Sequence, residues 1–518
     1  MLIKIDLLSV EALDKMHNCL DLLCEYNYIE RQPTLKETYE KYIGVYNLER
    51  NNPKMWKLVH ENKIQSLFQM NKQSGIQGIA LTKPTSVDDL AVLNSVIRLM
   101  AQEKGEETPL EKYTRFKNDI KNWYKEMDKY GLTKEEQHLL ERIIGQSYGI
   151  AESQEKIMQL VQLPECGGFN LSWADSLRKA VAKKQPEAYL KLEKEYFDTI
   201  TEKHLSKNLC YYVWKVLIAM SRGYSFNLSH TLAYSIVGLQ EMNLAFRFPI
   251  IFWNCACLIV DSGGIEEGNT DYKKIAVAIG QTVSENIKVA LPDINTSNYT
   301  FTPDPENNQI FFGLSGILNV GEDVIQNIIK NRPYISIKDF CNRVSANKQA
   351  MISLIKSGAF DNLEGNRKMV MAWYIWQTCD KKKRLTLQNL NGLMQKDLIP
   401  KEEEYELPKR VYEFNRYLKA ICKIDQNTYK ADERAIAFLE EIEQENLISS
   451  DLTIAAKPWD KVYQTYMDVF RNWIKANHDI VLQKLNDLIF KEDWVKYALG
   501  SLSSWEMEVL CFYFHEHE

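Results

Sequence analysis

Asn227, His230 and Tyr234 stand at i, i+3 and i+7 in the stretch SFNLSHTLAYS. Helical spacing puts this amide, imidazole and phenol in one row. Such a row offers a stacking surface and hydrogen bonds to a base or phosphate, or else a buried polar row satisfied by its neighbours. Upstream, GGFNLSWADSLRKAVAKK carries Arg178, Lys179, Lys183 and Lys184 with no acid among them. Ser172 and Asp175 read as a capping-box start. The free N–H groups and the cations beyond it suit a polyanion such as a triphosphate, or simply a solvated basic face. At the N-terminus, Lys4 and Asp6 alternate with apolar residues in MLIKIDLLS. On a strand they share a face about 7 Å apart, where the acid suits a divalent ion and the lysine a phosphate.

Two further segments suit nucleic acid. In FFGLSGILNVGEDVIQNIIK, an apolar residue, the turn Asn319-Val320-Gly321 and an amphipathic helix give a helix–hairpin–helix layout. Glycine there lets backbone N–H groups approach a DNA phosphate without reading sequence. A similar turn, Ser357-Gly358-Ala359, follows the helix of NKQAMISLIKSGAFDNL. Gln395 to Ile399, with Leu398 and Ile399 as an apolar hook, reads either as a peptide for an apolar groove on a partner or as a loop entering a helix.

The elements that position these residues are mainly helices. Turns at Pro33, Asn51-Asn52-Pro53 and Pro84-Thr85 come first, and helical periodicity then dominates residues 85–285, broken at Gly167-Gly168. In SFNLSHTLAYS and its continuation, Leu228, Leu232, Ile236 and Leu239 form the expected core stripe. Near residue 290 the texture turns rich in Pro, Asn, Asp and Thr, with a short strand expected in QIFFGL. The chain has 518 residues, 45% hydrophobic and 26% charged, with a net charge of −6. This is globular composition, and any nucleic-acid binding must come from local basic patches. The 10 cysteines are scattered without paired metal-ligand spacing, which predicts buried thiols in a reducing compartment. The most apolar region, residues 231–261, is broken by Gln240, Glu241, Asn243, Arg247 and Pro249, so no membrane span or signal peptide is expected.

Taken in order, these segments resemble the bacterial replicative DNA polymerase III alpha subunit, a C-family polymerase. IKIDLLSVEAL, SLFQMNKQSGIQGIALTKPTSVDDLAVLN, SYGIAESQEKIMQLVQ, GGFNLSWADSLRKAVAKK, GYSFNLSHTLAYSIVGLQ, LPDINTS and LIKSGAFDNL follow one another as the family's motifs do. The resemblance implies a mainly α fold. It has a short palm strand in residues 1–45, multi-helix fingers in 46–289, and tandem helix–hairpin–helix motifs in 290–365. A helical extension in 366–518 leads toward a missing OB domain.

The resemblance also implies roles. Asp6 matches the third metal-binding palm aspartate and Lys4 its neighbour near the incoming triphosphate. Two Mg²⁺ ions would be shared with carboxylates absent from this chain. Arg178 and Lys179 match paired finger arginines facing the triphosphate, with Lys183 one turn on. Asn227, Ser229, His230 and Tyr234 match the finger helix against the nascent base pair. Asn319, Val320, Gly321, Ser357 and Gly358 would hold duplex, and Gln395, Leu398 and Ile399 resemble a sliding-clamp peptide. The expected partners are primer–template DNA, deoxynucleoside triphosphates, a sliding clamp, and a complementary chain with the phosphoesterase-like, palm and thumb domains. The expected place is a bacterial cytoplasm or nucleoid, with a phage-encoded origin open. Three departures stand out: Leu99 and Met100 after Arg98 where the family has Pro-Gly, Lys179 for arginine, and Asn319 for the hairpin's first glycine. The expectation is one piece of a split polymerase, catalytically silent alone. The competing class is a non-catalytic DNA- or clamp-binding accessory protein, and the third is a helical scaffold.

Overall fold

Side-chain caps start many of the helices. Thr34, Thr108 and Thr133 each accept a hydrogen bond from the N–H of a glutamate three residues on, whose carboxylate accepts in return from the threonine N–H. Ser86, Ser153 and Asn227 cap with the side chain alone. Each cap satisfies backbone donors that the first turn leaves orphaned, which is worth about 1 kcal/mol. The computed structural model describes residues 10–99, 107–182, 186–221, 226–262, 272–379 and 384–516. The expected palm strand, with Lys4 and Asp6, and also Lys183 lie outside the described residues. The fold is mainly α, as the sequence predicts, and it divides into two compact units, Met1–Lys330 and Asn331–Glu518.

In the first unit, the helices between Pro109 and Tyr212, with the π-helical stretch Val213–Ile218, enclose an aromatic core. Trp214 is fully buried there, and Tyr196 stacks on it with ring centroids 4.6 Å apart. The Trp123 indole N–H donates to the Tyr212 hydroxyl at 3.2 Å, so this buried polar atom is paired. A second helical layer packs Glu11–Glu25 on Ile250–Asp261 and Leu228–Arg247 on Val87–Val96. Cys255 and Cys257 are buried free thiols in it, as the sequence predicts. The strand expected in QIFFGL forms at Gln309–Phe311. It pairs in parallel with Lys288–Ala290 and antiparallel with Thr302–Asp304. Among the described residues no helix is long and apolar enough to cross a membrane.

The second unit begins with helices Ile337–Arg343 and Lys348–Lys356, followed by Arg367–Cys379. Residues beyond 384, which no recognised motif covered, form a folded body. Helix Glu403–Ala420 packs on the long helix Ala456–Tyr497, which is interrupted at Asn477. A two-stranded antiparallel sheet, Thr428–Lys430 with Thr453–Ala455, was not expected from the sequence.

A buried charge network ties this unit's two ends. Arg367, 3% exposed, donates to Asp361 at 2.8 Å, to Glu506 at 2.8 Å and to the Lys356 carbonyl at 3.1 Å. Glu506 is fully buried and also accepts from the Phe514 N–H at 2.7 Å and the His515 N–H at 3.0 Å. Burial works to raise the Glu506 pKa, but these amides and Arg367 outweigh it and hold the carboxyl below its ordinary value. His515 also meets Glu506 through its ring, with Nδ1 2.6 Å from the carboxylate. Arg367→Met is expected to leave Glu506 charged, buried and short of its partner. Urea unfolding should show this as a loss of about 3–5 kcal/mol confined to the second unit's transition.

Candidate functional site: an aromatic ring at a cationic cleft

The helix Leu228–Arg247 begins with Asn227 as its cap. The Asn227 amide oxygen accepts from the His230 N–H at 3.2 Å and from the Ser229 hydroxyl. This corrects the expected row: Asn227 and Ser229 are engaged in starting the helix, and its outward members are His230 and Tyr234. Of the expected apolar stripe, Leu239 is fully buried as predicted, but the start of the stripe is corrected. Leu228 is exposed, and the face toward Val87–Val96 begins with Thr231, Ser235 and Gly238, all buried. Thr231 donates to the Ala91 carbonyl at 3.0 Å, and Ser235 bonds back to the Thr231 carbonyl at 2.9 Å. Small side chains with locally satisfied hydroxyls let two backbones approach, which a search for large apolar residues does not register.

His230 lies between two rings, with Phe226 stacked at 5.3 Å and Tyr234 at 4.0 Å. Tyr234 meets Phe68 edge-on at 5.1 Å. The Arg98 guanidinium sits 4.5 Å from the Phe226 ring centre and donates to the Gln69 amide oxygen. Since Gln69 follows Phe68, these six side chains close a ring. Cation–π and edge-on aromatic contacts are each worth about 0.5–1.5 kcal/mol, so the closed circuit fixes every member against its neighbours.

Phe68, Gln69, Arg98 and Tyr234 also line a cleft of about 540 Å³, together with Lys15 and Lys72 and one acid, Glu11. Val10 lies on its wall, four residues after Asp6. Lys15 is nearly buried. Its ammonium pairs with Asp261 at 2.9 Å and donates to the Ser66 hydroxyl at 3.1 Å. The loop it grips is strained: Ser66 and Gln69 hold φ of 58° and 65° without being glycine. Such backbone persists only where its surroundings enforce it. No local sign of this loop geometry stands in the sequence, since neither residue type marks a left-handed turn. Lys15, Phe68, Gln69 and Phe226 were missed as site residues for that reason, and Arg98 stood out only as a departure from a motif.

The cationic helix runs Leu171–Ala182. Asn170 takes its first turn, accepting from the Trp173 N–H at 2.9 Å, so the expected start at Ser172 and Asp175 is corrected. Asp175 instead holds the cations, with Lys179 at 2.7 Å and Arg178 at 2.8 Å. These two partners keep its carboxyl below the usual carboxylate range. Arg178 also donates to the Gln154 amide oxygen at 2.9 Å. The Gln154 N–H donates to the Phe226 carbonyl at 2.8 Å, and Glu155 accepts from the Leu228 N–H at 2.9 Å. Residues 154–155 thus stitch the cationic helix to the start of the aromatic one.

The two hairpin turns differ. In the first unit Asn319 is exposed at φ 66°, a left-handed position that asparagine tolerates in place of glycine. Val320 is buried, and a Cβ built on Gly321 would meet open space. The following helix opens with exposed Glu322 and Asp323, which oppose a phosphate at that end. In the second unit Ser357 and Gly358 are buried, and a Cβ on Gly358 would lie 2.5 Å from the Arg367 guanidinium. This corrects the expectation that the second turn offers its amides to DNA, because the Arg367 network covers it. The expected clamp peptide is corrected as well. Ile399 is buried in the second unit's core, Leu398 packs against that core, and Gln395 ends the helix Leu390–Gln395. The apolar hook is spent inside the fold. Among the described residues no group of three or more His, Cys, Asp or Glu side chains is placed to hold a metal.

Residues 28–204 match the family model of the bacterial DNA polymerase III alpha subunit finger domain, and residues 286–370 match that of the helix–hairpin–helix motif. The chain is 38% identical, over its whole length, to a probable DNA polymerase YorL of Bacillus subtilis and to a DNA-directed DNA polymerase of Bacillus phage SPbeta. It spans 41% of the length of each. It is 29% identical, over 71% of its length, to the DNA polymerase III subunit alpha of Campylobacter jejuni, of which it covers 28%. These matches show that the chain carries the finger domain and the helix–hairpin–helix motif of bacterial DNA polymerase III alpha subunits.

Proposed function

We propose that these residues form the nucleotide-binding and duplex-binding part of a DNA-directed DNA polymerase. The observation that carries this reading is the closed ring of Arg98, Phe226, His230, Tyr234, Phe68 and Gln69 at the edge of a cationic cleft. A base takes the aromatic side, against Tyr234 and His230, where stacking tolerates all four bases. The triphosphate takes the cationic side, toward Lys72 and Arg98, with Arg178 and Lys179 joining from the adjacent helix. These cations neutralise the charge that accumulates on the phosphates during in-line attack by a primer 3′-hydroxyl.

Asp6 is assigned as one carboxylate of a two-metal site, with Lys4 beside it. Bound Mg²⁺ would supply activation of the hydroxyl and neutralisation of the leaving group. By the family resemblance, the remaining ligands are assigned to carboxylates of a complementary chain. The duplex is assigned to Asn319, Val320 and Gly321. The accessory-protein reading leaned on tandem hairpins and a clamp peptide. The burial of Ser357, Gly358 and Ile399 weakens it.

Three outcomes test this. Purified residues 1–518 should not extend a primer alone. Adding a protein that supplies the missing palm aspartates should restore synthesis, and Asp6→Asn should abolish it again. Synthesis unaffected by Asp6→Asn would refute the assignment.

Because a triphosphate must draw Arg178 and Lys179 away from Asp175, Asp175→Asn should tighten nucleotide binding. Arg178→Ala should weaken it about tenfold, equal to ~1.4 kcal/mol. Equilibrium titration with a fluorescent deoxynucleotide measures both.

Asn319→Asp, which keeps the left-handed turn but adds a charge beside the phosphate, should lower duplex affinity about threefold to tenfold at low salt and less at high salt. Fluorescence anisotropy across a salt series reads this.

A further inference from the structure

Beneath the ring lies a carboxyl that the proposed reaction does not use. Glu241 sits on the helix Leu228–Arg247 and is fully buried. Its Oε2 accepts from the Phe68 N–H at 2.6 Å, while its Oε1 is buried with no partner among the described residues. Phe68 lies between Ser66, gripped by Lys15, and Gln69, which accepts from Arg98. The strained loop is therefore held at three points, Ser66, Phe68 and Gln69, and the Phe68 amide rests on Glu241.

The geometry points to Glu241 as a positioning residue that, in its uncharged form, sets the 66–70 loop and through Phe68 the aromatic wall of the cleft. The inference rests on reading that cleft as the nucleotide site. An uncharged carboxyl accepts from Phe68 through its carbonyl oxygen and leaves its hydroxyl on the unpartnered side. Ionisation puts a buried charge at Oε1 with nothing to receive it, a cost relieved only by letting water in. The side open to adjustment is the loop, since the other flanks are packed helices. Groups facing Glu241 are the Lys15 ammonium, itself paired with Asp261, the Cys257 thiol and the Tyr39 phenol. Of these only Lys15 is a cation, and its hydrogen bonds go to Ser66 and Asp261.

Burial raises the Glu241 pKa to about 8, against the opposing pull of the Phe68 amide and Lys15. The folded state thus keeps a proton that the unfolded chain releases near 4.5. Between those values the folded state binds more protons, so this group's contribution to stability falls as pH rises and levels off above about 8. Ionisation in the folded state then loosens the loop over the same upper range.

Hydrogen exchange on the full chain tests this, read by mass spectrometry on a peptide spanning residues 66–70 at about pH 7 and about pH 9. After correction for the intrinsic exchange rate, wild-type protection should drop about tenfold between the two, the ratio set by one pH unit above the pKa. Glu241→Gln, which keeps the acceptor and cannot ionise, should show no drop. Glu241→Met, which lacks the acceptor, should exchange fast at both. Equal drops in wild type and Glu241→Gln overturn the proposal, even if Glu241→Met fails to fold. In parallel, the affinity for a fluescent-labelled dATP should fall from about pH 7 to about pH 9 in wild type and stay level in Glu241→Gln. If exchange behaves as expected but no variant binds the nucleotide, the anchor stands and the nucleotide reading fails. If nucleotide binds and its pH dependence is the same in both proteins, the positioning role of Glu241 fails alone.

Discussion

The contact between Thr231 and the Ala91 carbonyl sets the distance on which the site is built. The two helices joined there can approach because their facing positions are small. One of them ends just before Arg98, and the other begins just after Phe226. Bringing the helices together delivers a guanidinium over an aromatic ring, and the rest of the ring follows along the second helix at one-turn spacing. A larger side chain at Thr231 would separate the two ends and open the circuit at its charged member.

The fold class, the cationic helix and the His230–Tyr234 pair were legible in the sequence because they depend on local spacing. The helical period is a local property, and so is the position of Arg178 three residues after Asp175. What was not legible depends on partners far along the chain. Asn227 reads as a member of a polar row until its amide is seen capping the helix. Leu228 reads as core until Thr231 and Ser235 are seen to take the contact. Phe68 and Gln69 become site residues only through Tyr234 and Arg98, and the left-handed backbone at Ser66 and Gln69 has no glycine to announce it. Ile399 shows the reverse case: a short peptide with a recognisable outline was absorbed into a core that the sequence did not reveal.

The two hairpin turns show how a shared motif outline separates by environment. Asn319 keeps the left-handed turn at the surface, and Gly321 leaves open space beside it. At Gly358 the same need for a missing Cβ is met by a guanidinium, not by solvent. Only at Gly358 does a group of the fold approach closely enough to need the missing Cβ, while Gly321 faces open space, and with that the parts the two turns play differ.

Asp175 gives the cationic helix a property that its lysine and arginine alone would lack. A tethered carboxylate keeps both cations oriented, so little disorder has to be removed on ligand arrival. Under the proposed reading, the same carboxylate would act as a resident competitor. An incoming group would have to carry more charge than a single carboxylate to win the pair, which would favour a triphosphate over a monophosphate or a free base. The helix would then work as a threshold device, grading visitors by anionic strength before any base is inspected.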